Sequence, residues 1–347
     1  MLCRNYVFLE ITSMKIVTDF RIKDNFSPSL FAFFEELWLD LAIAEPASGY
    51  LFLVNEEMQI NTTQENISAR VLKTSAIKLL NKNRLLKTLN GYHADRYITL
   101  EEDGYSIIRP ATKEFTAKDL LQPSARIFFS GNKTTAAALS GDIHFIKPVA
   151  KNTVTSLSWT EAESIKTQHT AGRDFFLFTG DIDDRHRLIE LLKAFSLFKK
   201  WQQSNMQLVI AGYPVLQTGA FEEQLASYKY RHDVILLKNL PQHEIATLTA
   251  AAYAVVYPAE QNILPLTLLQ AIQCGVAIIA SDTEANRQLT DTAIWVDNNH
   301  LQEGFANAMM LLYKDENQKQ QLVEKVKEQA GSFAREKMLG EVWQSIN

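Results

Sequence analysis

The residues of this chain best suited to chemistry stand together in "TGDIDDRHR", residues 179–187, where Arg185, His186 and Arg187 follow Gly180 and Asp181. Arginine is permanently cationic and histidine gains its charge near neutral pH, so this trio could hold an anionic group such as a phosphate. At this spacing one of the two arginines faces inward, and the plainer expectation is solvent exposure, with His186 an exposed residue at a helix start. Lys133 and Glu260 are further candidates, a cation and an acid, whose bland reading is a solvated loop charge. His93 and His144 have no carboxylate or cysteine at ligand spacing, which leaves core or surface roles. "SGNKTT" lacks the upstream glycine and the Gly-Lys pair of a phosphate loop. Cys3 and Cys274 lie at opposite ends and match no metal or redox spacing, so no metal is expected.

Such residues need a scaffold, and the composition supplies one. With 347 residues, 46% of them hydrophobic, the chain suits two domains with real cores and excludes a disordered or fibrous protein. A net charge of −5, with Lys and Arg scattered, argues against a nucleic-acid partner while leaving a local basic pocket open. The apolar patch in "MLCRNYVFLEITS" is too short for a signal core or a membrane span, and no longer apolar run follows. A reducing, cytoplasmic setting is the default, with peripheral membrane attachment left open. The sequons at Asn61, Asn66 and Asn132 are no more than chance supplies and have no signal peptide beside them.

"MKIVTDF" from Met14 reads as a first strand, which makes residues 1–13 an extension or an extra edge strand. Leu30, Phe33, Phe34, Leu37 and Leu41 recur at helical spacing after it. "GYLFLVN", "DRYITLEE" and "ARIFFS" are further strands, with helices in "AIKLLNKNRLLKTL" and "NKTTAAAL". A polar stretch near 150–170 reads as a linker. Beyond it, wholly apolar strands "FFLFTG", "QLVIAG", "DVILLKNL", "AVVYP" and "VAIIAS" alternate with amphipathic helices, the pattern of a parallel sheet covered on both faces. The domains expected are 14–165 and 166–330, with 331–347 a final helix.

Residues 173–313 resemble the donor domain of the family 4 glycosyltransferases. The pieces that carry the resemblance, in order, are "FFLFTGDIDDRHRLIELLKAFSLF", "QLVIAG", "DVILLKNLPQHEIATLTAAAYAVVYPA", "LLQAIQCGVAIIASD" and "AIWVD". The first half is similar only in fold, through "MKIVTDF", "RYITLEE" and "ARIFFSGNKTTAAAL". The resemblance implies a GT-B architecture: two Rossmann-like α/β domains facing a cleft, with the last helix crossing back to the first. It also implies retaining transfer from a nucleotide diphosphate sugar to a sugar acceptor, with no separate cofactor.

The residues that would perform this transfer have changed type. A departing diphosphate needs cations or helix N-termini aimed at it. In the family an arginine and a lysine follow the glycine matched by Gly180; here those positions hold Asp181 and His186. The family's two glutamates, eight positions apart, fall on Asn262 and Gln270, and its Gly-x-Gly between them becomes Ile263, Leu264 and Pro265. A later glutamate falls on Gln288, and the first domain's histidine near Glu101. Arg185, Arg187 or Lys133 could replace the lost cations, and Glu260 the first glutamate.

The reading this supports is a glycosyltransferase by fold whose donor site has been dismantled, leaving a binding or partner-supporting subunit. Two alternatives stay open: an active retaining transferase with a reorganised site or an unusual donor, and a non-enzymatic assembly protein that holds a partner chain in the cleft.

Overall fold

The computed structural model describes residues 13–347 except 22–26, 57, 61, 74, 76, 102–104, 111–113, 122, 130–138, 140, 152–155, 216–218 and 260–263. The N-terminal extension, Asn61, Asn132, Lys133, Glu260, Asn262, Ile263 and the "NKTTAAAL" helix therefore lie wholly or almost wholly outside the described residues.

The first domain is a seven-stranded sheet in the order β3-β2-β1-β4-β5-β6-β7. Its strands are β1 (Lys15–Asp19), β2 (Gly49–Val54), β3 (Ile67–Val71), β4 (Arg96–Glu101), β5 (Tyr105–Pro110), β6 (Ala125–Phe128) and β7 (Asp142–Phe145). Helix α1 (Pro28–Ala44) starts at Ser27, whose hydroxyl accepts from the Leu30 N–H, and Pro28 sits in the first turn, where its missing N–H costs nothing. Its apolar stripe, Leu30, Phe33, Phe34, Leu37, Trp38 and Leu41, is buried. Helix α2 (Lys78–Tyr92) covers the opposite face with Leu85 and Leu89.

The sheet is not uniformly parallel, because β5 runs antiparallel to both neighbours. Strands β3, β5 and β7 are elements the sequence reading does not contain. β3 and β7 are the sheet's two edges and half-exposed, so they lack the continuous apolar run of a buried strand.

The stretch read as a linker contains helix α3 (Trp159–Thr170). Ser158 and Glu161 form a capping box at its start, with the Ser158 N–H donating to Glu161 at 2.8 Å and the Glu161 N–H donating back at 3.3 Å. Its polar surface hid it, although the Ser-x-x-Glu signature was there to be read.

The second sheet is wholly parallel, order β10-β9-β8-β11-β12-β13. It comprises β8 (Phe175–Ile182), β9 (Gln207–Pro214), β10 (Val234–Lys238), β11 (Ala254–Tyr257), β12 (Ile278–Ser281) and β13 (Ile294–Val296). Around it lie α4 (Leu188–Gln202), α5 (Gly219–Ala226), α6 (Gln242–Ala251), α7 (Leu266–Cys274), α8 (Glu284–Leu289), α9 (Leu301–Lys314) and α10 (Glu316–Ala330). Phe175, Phe176, Phe178, Phe195 and Phe198 form its fully buried aromatic core.

The last helix, α11 (Arg335–Ile346), returns to the first domain. Arg335 holds Asp40 of α1 through an Nε hydrogen bond and an ion pair, both at 2.7 Å, and donates a second hydrogen bond to the Val149 carbonyl. Arg96 of β4 donates to the Ile346 and Asn347 carbonyls at 2.6 and 2.9 Å. No helix among the described residues is long and apolar enough to cross a membrane.

Strands β8 and β9 approach unusually closely beside the cleft. A Cβ on Gly212 would lie 1.9 Å from the Gly180 carbonyl oxygen, so Gly212 must lack a side chain. Gly212→Ala is expected to destabilise the protein by about 1–3 kcal/mol through overpacking, measured as a lowered urea midpoint at unchanged slope.

Candidate functional site

In an open parallel sheet, ligands gather at the carboxyl ends of the strands where the strand order reverses. In the second sheet that point lies between β8 and β11, which places Thr179, Gly180 and Asp181 at the centre of the candidate site. The N-terminus of α1, from the other domain, faces them.

Asp181 is buried, and its partners come from across the cleft. The Ser27 hydroxyl donates to one carboxylate oxygen, and the Ser29 N–H donates to the other at 3.1 Å. Ser27 thus caps its own helix and links it to the second domain. A carboxylate in the first turn of a helix is also favoured by the helix dipole. The anion-attracting end of α1 is occupied by a protein carboxylate.

His186 is not the exposed residue that its place at a helix start suggested. It is buried, its Nδ1 lies 2.6 Å from Asp183, and its ring packs edge-on to Phe178 and Tyr257. Burial works to raise the Asp183 carboxyl, but hydrogen bonds and charge from His186 and Arg185 outweigh it and hold Asp183 at about 2. Arg185 is over half exposed and donates to the same carboxylate at 2.8 Å. Arg187 takes a left-handed backbone conformation between a short 3-10 turn and α4 and is half-buried.

Gln270 projects from α7 into the cleft, buried, and its Nε2 has no hydrogen-bond partner among the described residues. Thr267, one turn earlier, spends its hydroxyl on the Thr179 carbonyl. Around Gln270 the walls are Ser29, Phe33 and Glu36 of α1, Gly180, Tyr213 and Gln242. The space between them is about 40 Å³, room for a water molecule or two. Pockets for small ligands run to about 300–1,000 Å³.

The remaining sequence candidates are elsewhere. Leu264 and Gln288 line a separate, largely apolar cavity of about 310 Å³ between the domains, with Phe128, Phe129 and Phe145 on its far side. Glu101 ends β4 opposite Tyr105 and lines neither cavity. His93 is the left-handed residue that ends α2, and His144 lies on β7. Cys274 is a buried thiol that donates to the Ala246 carbonyl. Among the described residues no group of three His, Cys, Asp or Glu could hold a metal ion.

Sequence reasoning missed Ser27, Ser29, Glu36 and Tyr213. Glu36 is raised to about 7, chiefly by burial and also by the charges of Asp40 and Glu35, against the opposing pull of Arg335 and Lys151. Burial, with the charges of Glu36 and Asp181, also pushes the Tyr213 hydroxyl up. The only signal for Glu36 was its spacing, seven residues after Ser29 on one face of α1.

Over nearly the whole chain the fold is similar to that of solved glycosyltransferases. WaaG, a glycosyltransferase involved in lipopolysaccharide biosynthesis, superposes with a TM-score of 0.74 over 96% of this chain and 99% of that one, at 12% identity. HepE of Anabaena, solved with UDP and glucose, gives 0.73 at 12% identity over 96% and 99%. Sucrose-phosphate synthase of Thermosynechococcus elongatus gives 0.72 at 15% over 95% and 98%. These identities bear on the fold, and the fold is GT-B. Residues 160–329 match the family model described as glycosyl transferases group 1, so the second domain is a group 1 glycosyl transferase domain. The O-antigen chain mannosyltransferase B of Escherichia coli is 23% identical over 146 residues, 42% of this chain and 38% of that protein's length.

Two outcomes are expected at the site. Asp181→Ala, which leaves Ser27 and the Ser29 N–H without their charged acceptor, should lower stability by about 1.5–3 kcal/mol in chemical denaturation. Glu36 binds its proton more tightly in the folded state, so its contribution to stability is complete below about pH 4.5 and lost as pH rises through about 7. Glu36→Gln should flatten stability across that window and, with an allowance for partial solvent screening, add about 1–3 kcal/mol at pH 8.

Proposed function

We propose that this protein keeps the framework of a sugar-nucleotide glycosyltransferase, with an acceptor-side domain over 14–165 and a donor-side domain over 166–330, but has lost its donor site. It then serves in the cytoplasm as a binding or partner-supporting subunit. The observation that carries this reading is Asp181. A negative charge is buried at the sheet's switch point and has taken the N-terminus of α1 as its own partner, so an incoming diphosphate meets repulsion and a helix end already in use. The narrowness of the adjoining cleft supports the same reading. The change from glutamate to Gln270 keeps the side chain's shape and removes its charge, which leaves packing intact while the chemistry goes.

A second reading, an active transferase with a reorganised site, draws on Glu36. Its carboxyl near 7 is suited to exchanging a proton at neutral pH, and it shares the cavity with Gln270, whose Nε2 has no hydrogen-bond partner among the described residues. A donor of the type bound in the Anabaena HepE structure, UDP-glucose, is the natural first candidate for either test.

Isothermal titration with uridine and guanosine diphosphate sugars separates the two. The expected result is no saturable heat up to about 1 mM ligand, a binding free energy weaker than about −4 kcal/mol. Micromolar affinity together with sugar transfer that falls on Glu36→Gln would overturn the first reading in favour of the second.

A further inference from the structure

We infer that the first domain binds a tetrahedral oxyanion, a phosphate or the phosphoryl group of a small molecule, against Arg126 of β6 and Arg109 of β5. This site stands apart from the fate of the donor site, because it lies at the end of the sheet away from the cleft. Register puts the two arginines on one face: Arg126 is opposite Ile107, and Arg109, two positions further along β5, is opposite Tyr97. Ser124 and Gly141, just before β6 and β7, mark this end, whereas Phe128 and Phe145 at the other end line the cavity between the domains.

Arg126 is the observation that points to a ligand. It is only 7% exposed, and its Nε and Nη1 are buried with no hydrogen-bond partner among the described residues. Its neighbours on the same face, Ile107 and Ile143, belong to an apolar cluster with Tyr105 and Phe128, which suits the aliphatic stem and offers the guanidinium nothing. Asp142 of β7 stands on the opposite face with Ala125. An arginine does not escape by losing its proton, so burying it without an acceptor is costly.

Arg109 adds a second cation whose hydrogen bonds go to neutral groups. Its Nε donates to the Leu120 carbonyl at 3.1 Å and its Nη1 to the Thr99 hydroxyl at 2.8 Å. Burial holds the Arg109 guanidinium below its usual range and the like charge of Arg126 adds to this, against the pull of Tyr97, Glu101 and Asp19. Asp19 is itself committed to Arg21 and the Tyr97 hydroxyl. Among the described residues no ion pair reaches Arg109 or Arg126. Other withdrawn cations of this chain do have carboxylates: Arg21 has Asp19, Lys199 has Asp233 and Arg335 has Asp40.

The pair selects its occupant. A guanidinium presents its donors in a planar fork that matches an oxyanion, and two of them carry a double charge that a dianion balances and a single carboxylate leaves half met. Gly141 keeps the approach open. A Cβ there would stand 3.3 Å from Nη1 of Arg126, and the φ of +101° at this residue is one that glycine adopts readily. Ser124 and Gly141 are exposed, so a small anion reaches the guanidinium from solvent rather than through the cleft.

Thermal melting of the full chain in phosphate-free buffer, with chloride added to constant ionic strength, tests the inference with inorganic phosphate and glycerol 3-phosphate as probes. The parent is expected to melt about 2–4 °C higher at a probe concentration roughly tenfold above half-saturation. A response to inorganic phosphate assigns the free ion, and a response to glycerol 3-phosphate alone assigns the phosphoryl group of an organic molecule; either supports the inference. Arg126→Met keeps the stem and removes the fork. It should lose the response and, without phosphate, melt no lower than the parent, because a buried unpaired charge has gone. Arg126→Lys keeps the charge without the fork and should need about tenfold more phosphate for the same shift. No response of the parent beyond that to chloride, or an unchanged response in Arg126→Met, overturns the inference. Arg126→Met melting well below the parent in phosphate-free buffer overturns it as well, since the guanidinium is then satisfied without an anion.

Discussion

A carboxylate buried between two domains has to be satisfied by both of them, and Asp181 is such a group. It arrives on β8, the central strand of the second sheet, and takes its hydrogen bonds from the first turn of α1 in the other domain. Burying an ion without partners is prohibitive, so the domains must meet here for the second sheet to keep this residue inside. The consequences spread outward. With α1 held against the end of β8, Phe33 and Glu36 are brought over Gly180 and Gln270, and the space between them shrinks to about 40 Å³.

The same contact is braced from the other end of α1. Asp40 is gripped by Arg335 from the returning C-terminal helix and by Lys151 at 2.7 Å. One helix of the first domain is therefore tied to the second domain's sheet at its start and to the crossing helix towards its end. The two carboxylates do different work. Asp181 is inside and neutralised by hydrogen bonds and a helix dipole, whereas Asp40 sits closer to solvent and is neutralised by cations. Glu36 lies between them with no hydrogen bond or ion pair among the described residues, and its burial raises its affinity for a proton against the pull of Arg335 and Lys151.

Much of the second domain was legible from its residues. Runs such as "FFLFTG" and "VAIIAS" are apolar on both sides because helices cover both faces, and a parallel strand of that kind announces itself. The first domain was less readable for the converse reason. "ISARV" and "DIHF" are edge strands with one side in water, and β5 joins the sheet by antiparallel pairing with β4 rather than by the alternation of strand and helix. The α3 helix is polar nearly all round, so its hydrophobic pattern was silent and only its capping box spoke for it.

At the site, sequence alone determined which residue types stand at Gly180, Asp181, His186 and Gln270. Sequence also determined that the second half would fold as a parallel α/β unit, because local periodicity and burial pattern depend on near neighbours. Only the tertiary structure decided what Asp181 does instead. Its partners lie more than 150 positions away on another domain, and no spacing rule reaches that far. The burial of His186 beside Asp183 and the gathering of Glu36, Tyr213 and Gln270 around one narrow cavity were decided in the same way. A side chain's exposure and protonation are set by whatever packs against it in space, and for these residues much of that comes from distant parts of the chain.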